Sequence, residues 1–177
     1  MKRIILATAF LWAALAANAQ TTDAGAASWK SRIFFEASTV GGKRKNLSPF
    51  GIQWKLGYHF TDRFYGTANM EYLIGRYKSA ELRTYYDNAN LGVGIGYTIL
   101  RPHNEWFSPC RNIDLRTNIG TTLGNNNWKY TFYEAGITLD TSNQNALVIG
   151  AGYRFIDSHT SGIEDFKGLF VSLGLRI

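Results

Sequence analysis

From Phe50 to Phe60 the chain alternates without a break: Phe50, Ile52, Trp54, Leu56, Tyr58 and Phe60 are apolar or aromatic, and Gly51, Gln53, Lys55, Gly57 and His59 lie between them. A period of two sends successive side chains to opposite faces of an extended strand. An amphipathic helix is excluded, because its apolar residues recur every three or four positions. The pattern returns from Ile113 to Leu123, where Ile113, Leu115, Ile119 and Leu123 share one face with Thr117 and Thr121, and Asp114, Arg116 and Asn118 occupy the other. The face opposite the apolar one carries both charges.

Runs of this kind occur eight times, over residues 29–40, 50–60, 64–77, 85–100, 110–123, 129–140, 145–156 and 166–177. Most reach or exceed the roughly 9 to 11 residues that a tilted membrane strand needs, against about 5 to 6 in soluble sheets. The 18 glycines, 3 prolines and 15% aromatic residues suit strands and barrel bends. The fold expected is therefore all-β, an eight-stranded antiparallel up-and-down transmembrane β-barrel. Short connections at 61–63 and 141–144 alternate with longer, more polar ones at 40–49, 78–84, 124–128 and 157–165. An outer-membrane barrel has this asymmetry, with short turns in the periplasm and longer loops outside. The connection 101–109 is long for a periplasmic turn and breaks the scheme.

Residues 1–19 read as a separate object. Lys2 and Arg3 precede an apolar stretch over 4–17, and Ala17-Asn18-Ala19 has the form of a cleavage site. The stretch is shorter than the roughly 20 apolar residues of a spanning helix. The expected organisation is a cleaved signal peptide at 1–19, a short N-terminal segment at 20–28 and a barrel domain at 29–177, exported to the cell outer membrane. Cys110 is the only cysteine, which excludes an intramolecular disulfide and a multi-thiolate metal site.

Alternation by itself is shared with soluble sandwiches and lipocalin-like barrels, whose apolar face packs inward. A soluble periplasmic β-barrel binding protein is the alternative on those grounds. Strand length, the export signal and the aromatic residues near strand ends favour the membrane. Trp29, Trp54, Tyr58, Tyr72, Tyr77, Tyr85, Tyr97, Trp128 and Tyr153 are placed where amphipathic rings sit at headgroup level.

The opposite faces then form a lumen. They contribute Arg32, Glu36, Lys55, Glu71, Asp114, Arg116, Glu134, Arg154 and Arg176, together with His59 and Asp140. Charges this numerous in a narrow interior require mutual pairing to offset desolvation. Eight strands leave a lumen that side chains fill, so a plugged interior is expected rather than a diffusion pore. Gly92, Gly94, Gly96, Gly150, Gly152 and Gly174 are expected to leave room for large lumen side chains such as Arg154 or Arg176. The clearest basic cluster, Lys43-Arg44-Lys45 beside Gly41-Gly42, reads as a surface loop that meets lipopolysaccharide phosphates or simply water. Export argues against nucleic acid as a partner.

The leader, the eight runs and the last strand, Leu169 to Ile177, together resemble the small OmpA/OmpX-type outer-membrane barrels. The resemblance covers nearly the whole mature chain and is architectural. It implies a monomeric barrel without a cofactor, surrounded by outer-membrane lipid and lipopolysaccharide and inserted by the outer-membrane assembly machinery. In that family the last residue is usually aromatic; Ile177 departs from this. The scaffold hosts adhesins, anchors and enzymes alike, and a non-enzymatic role with surface loops for envelope interaction is the leading expectation.

The enzymatic alternative rests on His159-Thr160-Ser161 and Glu164, following Tyr153-Arg154-Phe155. This is similar to the His-x-Ser arrangement of the lipid A 3-O-deacylase barrels, and a serine, a base and a carboxylate are the right types for acyl transfer. Gly162 stands where that family has an asparagine, and Glu164 lies closer than its acid does. The other reading of the segment is a solvated loop. His59, His103 and His159 are too scattered in sequence for a zinc motif, so no metal is expected.

Overall fold

The computed structural model describes residues 32–44, 46–79, 82–100, 112–124, 126–141 and 146–177. The leader (1–19), the segment 20–28, Trp29, Lys45, His103 and Cys110 lie outside the described residues, as do all of 101–111 and 142–145.

Eight strands follow one another: β1 (Ile33–Gly42), β2 (Leu47–His59), β3 (Phe64–Ser79), β4 (Leu82–Leu100), β5 (Asn112–Thr122), β6 (Tyr130–Asp140), β7 (Ala146–Ser158) and β8 (Phe166–Arg176). Each pairs antiparallel with its sequence neighbours, and β8 pairs with β1, so the sheet is a closed barrel without an open edge. Reciprocal backbone hydrogen bonds between Phe35 and Ile177, at 2.9 and 2.8 Å, carry that seam to the last residue.

The registers give the stagger. From Ile33 the partners run through Tyr58, Gly66, Ile95, Thr117, Ala135, Tyr153 and Leu169. Leu169 adjoins the Gly42–Phe170 pair, so the circuit closes about ten residues further along β1 than it began. Eight strands with this shear tilt by about 40° and enclose a radius of about 8 Å. An 11-residue strand at that tilt covers about 25 Å, the height of an outer-membrane apolar band.

Both centres of alternation read from the sequence lie in strands, but two hairpins are tighter than expected. β2 already begins at Leu47, and an Arg44–Leu47 bridge closes its hairpin with β1. β3 and β4 run on to Ser79 and Leu82, leaving only 80–81 between them. Most of the polar residues assigned to the loops 40–49 and 78–84 therefore complete ladders, because paired backbone satisfies its N–H and C=O groups. The expected contrast between short turns at one end and long loops at the other is correspondingly weaker.

The faces have opposite characters. Glu36, Gln53, Lys55, Asn69, Glu71, Asn90, Asp114, Arg116 and Arg154 all point inward and are at most 4% exposed. Outward stand Ile52, Leu91, Val93, Ile95, Leu115, Ile119, Ile137, Ile149, Leu169, Val171, Leu173 and Leu175, all exposed. Along the outward positions between Ile33 and Thr39, Phe50 and Tyr58, Phe64 and Ile74, Ala89 and Ile99, Ile113 and Thr121, Thr131 and Leu139, Leu147 and Phe155, and Leu169 and Ile177, no charge occurs. The sheet is apolar outside and charged within.

Candidate functional site

The lumen is layered along the barrel axis. The end where β1 starts and β8 finishes is here the terminal end; the end where β1 joins β2 and β7 joins β8 is the loop end. At the terminal end Phe34, His59 and Tyr65 form a ring cluster with centroids 5.1 to 5.3 Å apart. The Arg176 guanidinium lies 4.6 Å above the Phe34 ring. Two glycines admit these rings: a Cβ on Gly57 would fall within 2.0 Å of Phe34, and one on Gly96 within 2.1 Å of Tyr65.

Above them lies the first charge cluster, centred on Glu36. Its carboxylate accepts from both sides of the lumen: from Arg116 Nη1 at 3.0 and 2.9 Å, from Arg176 Nη2 at 3.1 Å, and it pairs with Lys55 Nζ at 3.3 Å. Arg176 also bonds Asp140, and Arg116 Nη2 stands 3.6 Å from Asp114. The Tyr65 hydroxyl donates to Asp114 at 2.8 Å and accepts from Arg116 Nε at 2.6 Å. Three cations thus face three carboxylates. The pairing spans strands distant in sequence, and it offsets desolvation that each charge alone would suffer in full.

The second cluster is centred on Arg154, which has no exposed surface. Its Nη1 donates to both Glu71 oxygens at 2.9 Å, its Nε donates to Glu134 at 2.7 Å, and its Nη2 pairs with Glu134. The guanidinium carbon Cζ lies 3.5 Å from the Phe170 ring centroid and 4.7 Å from that of Phe132. Gln53, Asn90 and Asn118 donate to the remaining carboxylate lone pairs at 3.2 to 3.3 Å. A planar cation satisfies such a site; a lysine has neither the fork nor the stacking face.

Of the nine charges named first for the lumen from sequence, the structure brings eight into these two clusters, and Asp140, also expected on the inward face, joins the first of them. The ninth, Arg32, is exposed immediately ahead of β1, where water holds its charge. The glycine expectation also changes. Gly94 makes room for Asn118, Gly150 for Ser172 and Gly96 for a tyrosine, while Gly92 and Gly152 approach neighbouring backbone. None of these contacts serves an arginine.

The loop end is different again. Val40, Leu47, Leu73, Trp128, Tyr130, Phe132, Ile156, Ile163, Phe166 and Phe170 form one buried apolar cluster, with Tyr77 and Tyr86 packed on it. Trp128 and Tyr77, assigned from sequence to headgroup-level rings, instead belong to this stopper. Trp128 has no exposed surface, and a Cβ on Gly75 would meet its ring at 2.6 Å. The reason is a contact: Trp128, just ahead of β6, packs its ring against that of the inward Tyr130, with centroids 4.5 Å apart, and both are fully buried. Tyr58, Tyr72, Tyr85 and Tyr153 do face outward and are exposed. The β7–β8 loop completes the seal by turning Ile163 inward, 7% exposed.

That loop also holds the His-x-Ser segment. His159 N donates to Lys129 O at 2.7 Å, and the His159 ring nitrogen Nε2 lies 3.1 Å from Thr131 Oγ1. Thr160 Oγ1 accepts from Lys129 N at 2.8 Å, and Ser158 N donates to Asp165 Oδ1 at 3.0 Å. Ser161 and Glu164 are exposed, and among the described residues no hydrogen bond joins either of them to His159. The arrangement fastens a loop to β6 and assembles no nucleophile–base pair. Replacing Ser161 by alanine is expected to leave the acyl pattern of lipid A unchanged, as read by mass spectrometry of lipid extracted from cells expressing each form. Loss of an acyl chain that depends on Ser161 would restore the hydrolase reading.

Of the basic loop, Lys43 is exposed, whereas Arg44 leans across the rim and donates from Nη1 to Lys167 O at 2.5 Å. A surface cavity of about 260 Å³ opens beside this strut, lined by Arg44, Leu47, Glu164, Asp165, Phe166 and Lys167. Its two acids and two bases balance. No group of histidine, cysteine or carboxylate side chains suited to a metal ion occurs among the described residues.

Compared with models of known protein families and with curated protein sequences, the chain matches none.

Proposed function

We propose that this chain is an outer-membrane β-barrel of the small OmpA/OmpX kind, exported by a cleaved leader, non-enzymatic, and closed to solute passage. The observation that supports it is the inverted polarity of the sheet. An uncharged apolar surface runs around all eight strands, while nine charges point into the lumen, seven of them buried. A soluble monomer rarely exposes a contiguous apolar patch larger than a few hundred Å². A lipid bilayer is the solvent in which such an exterior is stable, and a closed barrel leaves it no unpaired backbone edge. The soluble binding-barrel alternative requires a hollow apolar lumen and a polar exterior, the reverse of this arrangement along the middle of the barrel.

The stopper at the loop end and the two charge clusters below it leave the lumen to side chains. The role therefore falls to the exterior and the loop-end rim, as an envelope component in contact with outer-leaflet lipid. The test is electrophoretic. The purified protein in mild detergent is expected to migrate faster unboiled than boiled, since a closed hydrogen-bonded barrel resists dodecyl sulfate until heated, and to fractionate with outer membranes. Identical migration together with extraction into detergent-free buffer would remove this reading.

A further inference from the structure

On the outer surface of the loop end, cations collect in one sector. Lys43 follows β1, Arg76 and Lys78 lie near the end of β3, and Lys167 lies near the start of β8; all four are exposed. The strand order brings β8, β1, β2 and β3 side by side. By the β1–β2 register, which the Arg44–Leu47 bridge continues, Lys43 stands opposite Ser48, and Ser48 pairs with Arg76. Lys43 and Arg76 are therefore in one row, two strands or about 10 Å apart. Lys78 lies two residues further out on β3, on the same face as Arg76.

Among the described residues none of these four side chains forms an ion pair. Acids flank the sector on both sides: Glu164 and Asp165 line the cavity beside Lys167, and Asp87 stands opposite Ile74 in the β3–β4 register. Asp87 on β4 lies 3.4 Å from the Tyr72 hydroxyl, and Asp165 accepts from Ser158 N. The next outward row towards the middle of the barrel is Gly41, Phe50 and Ile74, and Ile52 and Tyr72 follow. Phosphate-seeking cations thus stand directly above bare apolar strand surface, on one face of one sheet.

We propose that this sector, the outer face of β1 to β3 with Lys167 of β8, is a docking surface for a phosphorylated, multiply acylated glycolipid of the outer leaflet. The inference rests on the outer-membrane reading above. Charge and level select the occupant: cations at the rim take phosphates borne on a sugar headgroup, while Phe50, Ile52 and Ile74 take acyl chains. A Lys ammonium acts as a point charge to phosphate, and Arg76 adds a planar fork. Two cations about 10 Å apart suit a headgroup that carries more than one phosphate. Arg44 is not part of the site, since its guanidinium is committed to the Lys167 carbonyl.

The test uses the full mature chain folded in detergent, with folding verified first by heat-modifiable migration, and measures binding to bisphosphorylated lipid A in mixed micelles. The triple variant Lys43→Gln, Arg76→Gln, Lys78→Gln is compared with Arg63→Gln, Lys129→Gln, whose changes lie outside the sector. At about five-fold per cation, the triple variant is expected to bind about a hundred-fold more weakly, and the control to remain within about three-fold of the wild type. Lipid A stripped of phosphate is expected to lose binding to a similar degree. Equal binding of phosphatidylglycerol at the same charge density, undiminished binding of the stripped lipid, or an equal loss in the control would each overturn the assignment. Failure of the wild type to show heat-modifiable folding would count against the membrane barrel itself, separately from this site.

Discussion

Replacing Arg154 by alanine is expected to destabilise the folded barrel by about 3 to 5 kcal/mol, because removing one partner of a buried ionic group leaves the others uncompensated. Arg154 holds Glu71 in a bidentate pair and Glu134 through two of its nitrogens, and both carboxylates point into the lumen. The truncation also removes the cation from between Phe132 and Phe170. Urea titration of the protein in detergent, followed by tryptophan fluorescence or by the loss of the fast-migrating band, reads the difference. A companion variant tests the cause: Arg154→Met with Glu71→Gln and Glu134→Gln removes the charges together and is expected to recover most of the loss. A change below about 1 kcal/mol for Arg154→Ala would mean that the two carboxylates reach water, and the lumen could no longer be described as sealed.

The second large effect separates a bilayer from water as the solvent of the exterior. Ile95 lies midway along the uncharged outward stretch of β4, Ala89 to Ile99, and is 63% exposed. Ile95→Arg is expected to cost about 2 to 4 kcal/mol for the barrel folded in lipid, the penalty for a cation near the bilayer midplane. The same substitution at Tyr85, on the outward face near the loop end, is expected to cost at most about 1 kcal/mol. In a water-soluble barrel both positions would be exposed surface, and each change would fall within about 0.5 kcal/mol. Reversible folding into lipid vesicles, monitored across a denaturant series, distinguishes the cases. Equal, small effects at the two positions would argue for the soluble alternative.

Much of the fold was legible in the sequence because period-two alternation is a local property. Ile113 to Leu123 reads as a strand from its own residues, and β5, Asn112–Thr122, lies within two residues of that span. Boundaries were less legible where polar residues continued a ladder. Ser48 reads as a loop residue, yet it pairs with Arg76 across β2 and β3. Hydrogen bonding between strands decided this, and single-chain polarity does not report it.

For the lumen the division is similar. Alternation assigned Glu36, Arg116 and Arg154 to the inward face without reference to any partner. It carried no information on which carboxylate meets which cation, because Glu36 and Arg116 are 80 residues apart in the chain. Trp128 shows the limit most clearly. It lies outside the strands, in the β5–β6 connection, where no alternation constrains it, and its aromatic character suits a membrane rim as well as a buried stopper.

The sequence by itself determined that this chain forms eight long strands with an uncharged face and a charged face, because side-chain polarity at a period of two needs no distant contact. Closure decided the rest. Pairing β8 with β1 at a stagger of about ten residues chose which charged rows converge. It enclosed Arg154 between two glutamates, and it brought Trp128, Tyr130 and Phe166 from separate segments into one apolar cluster at the loop end. Register is a property of the whole circuit, so no single strand could have revealed it.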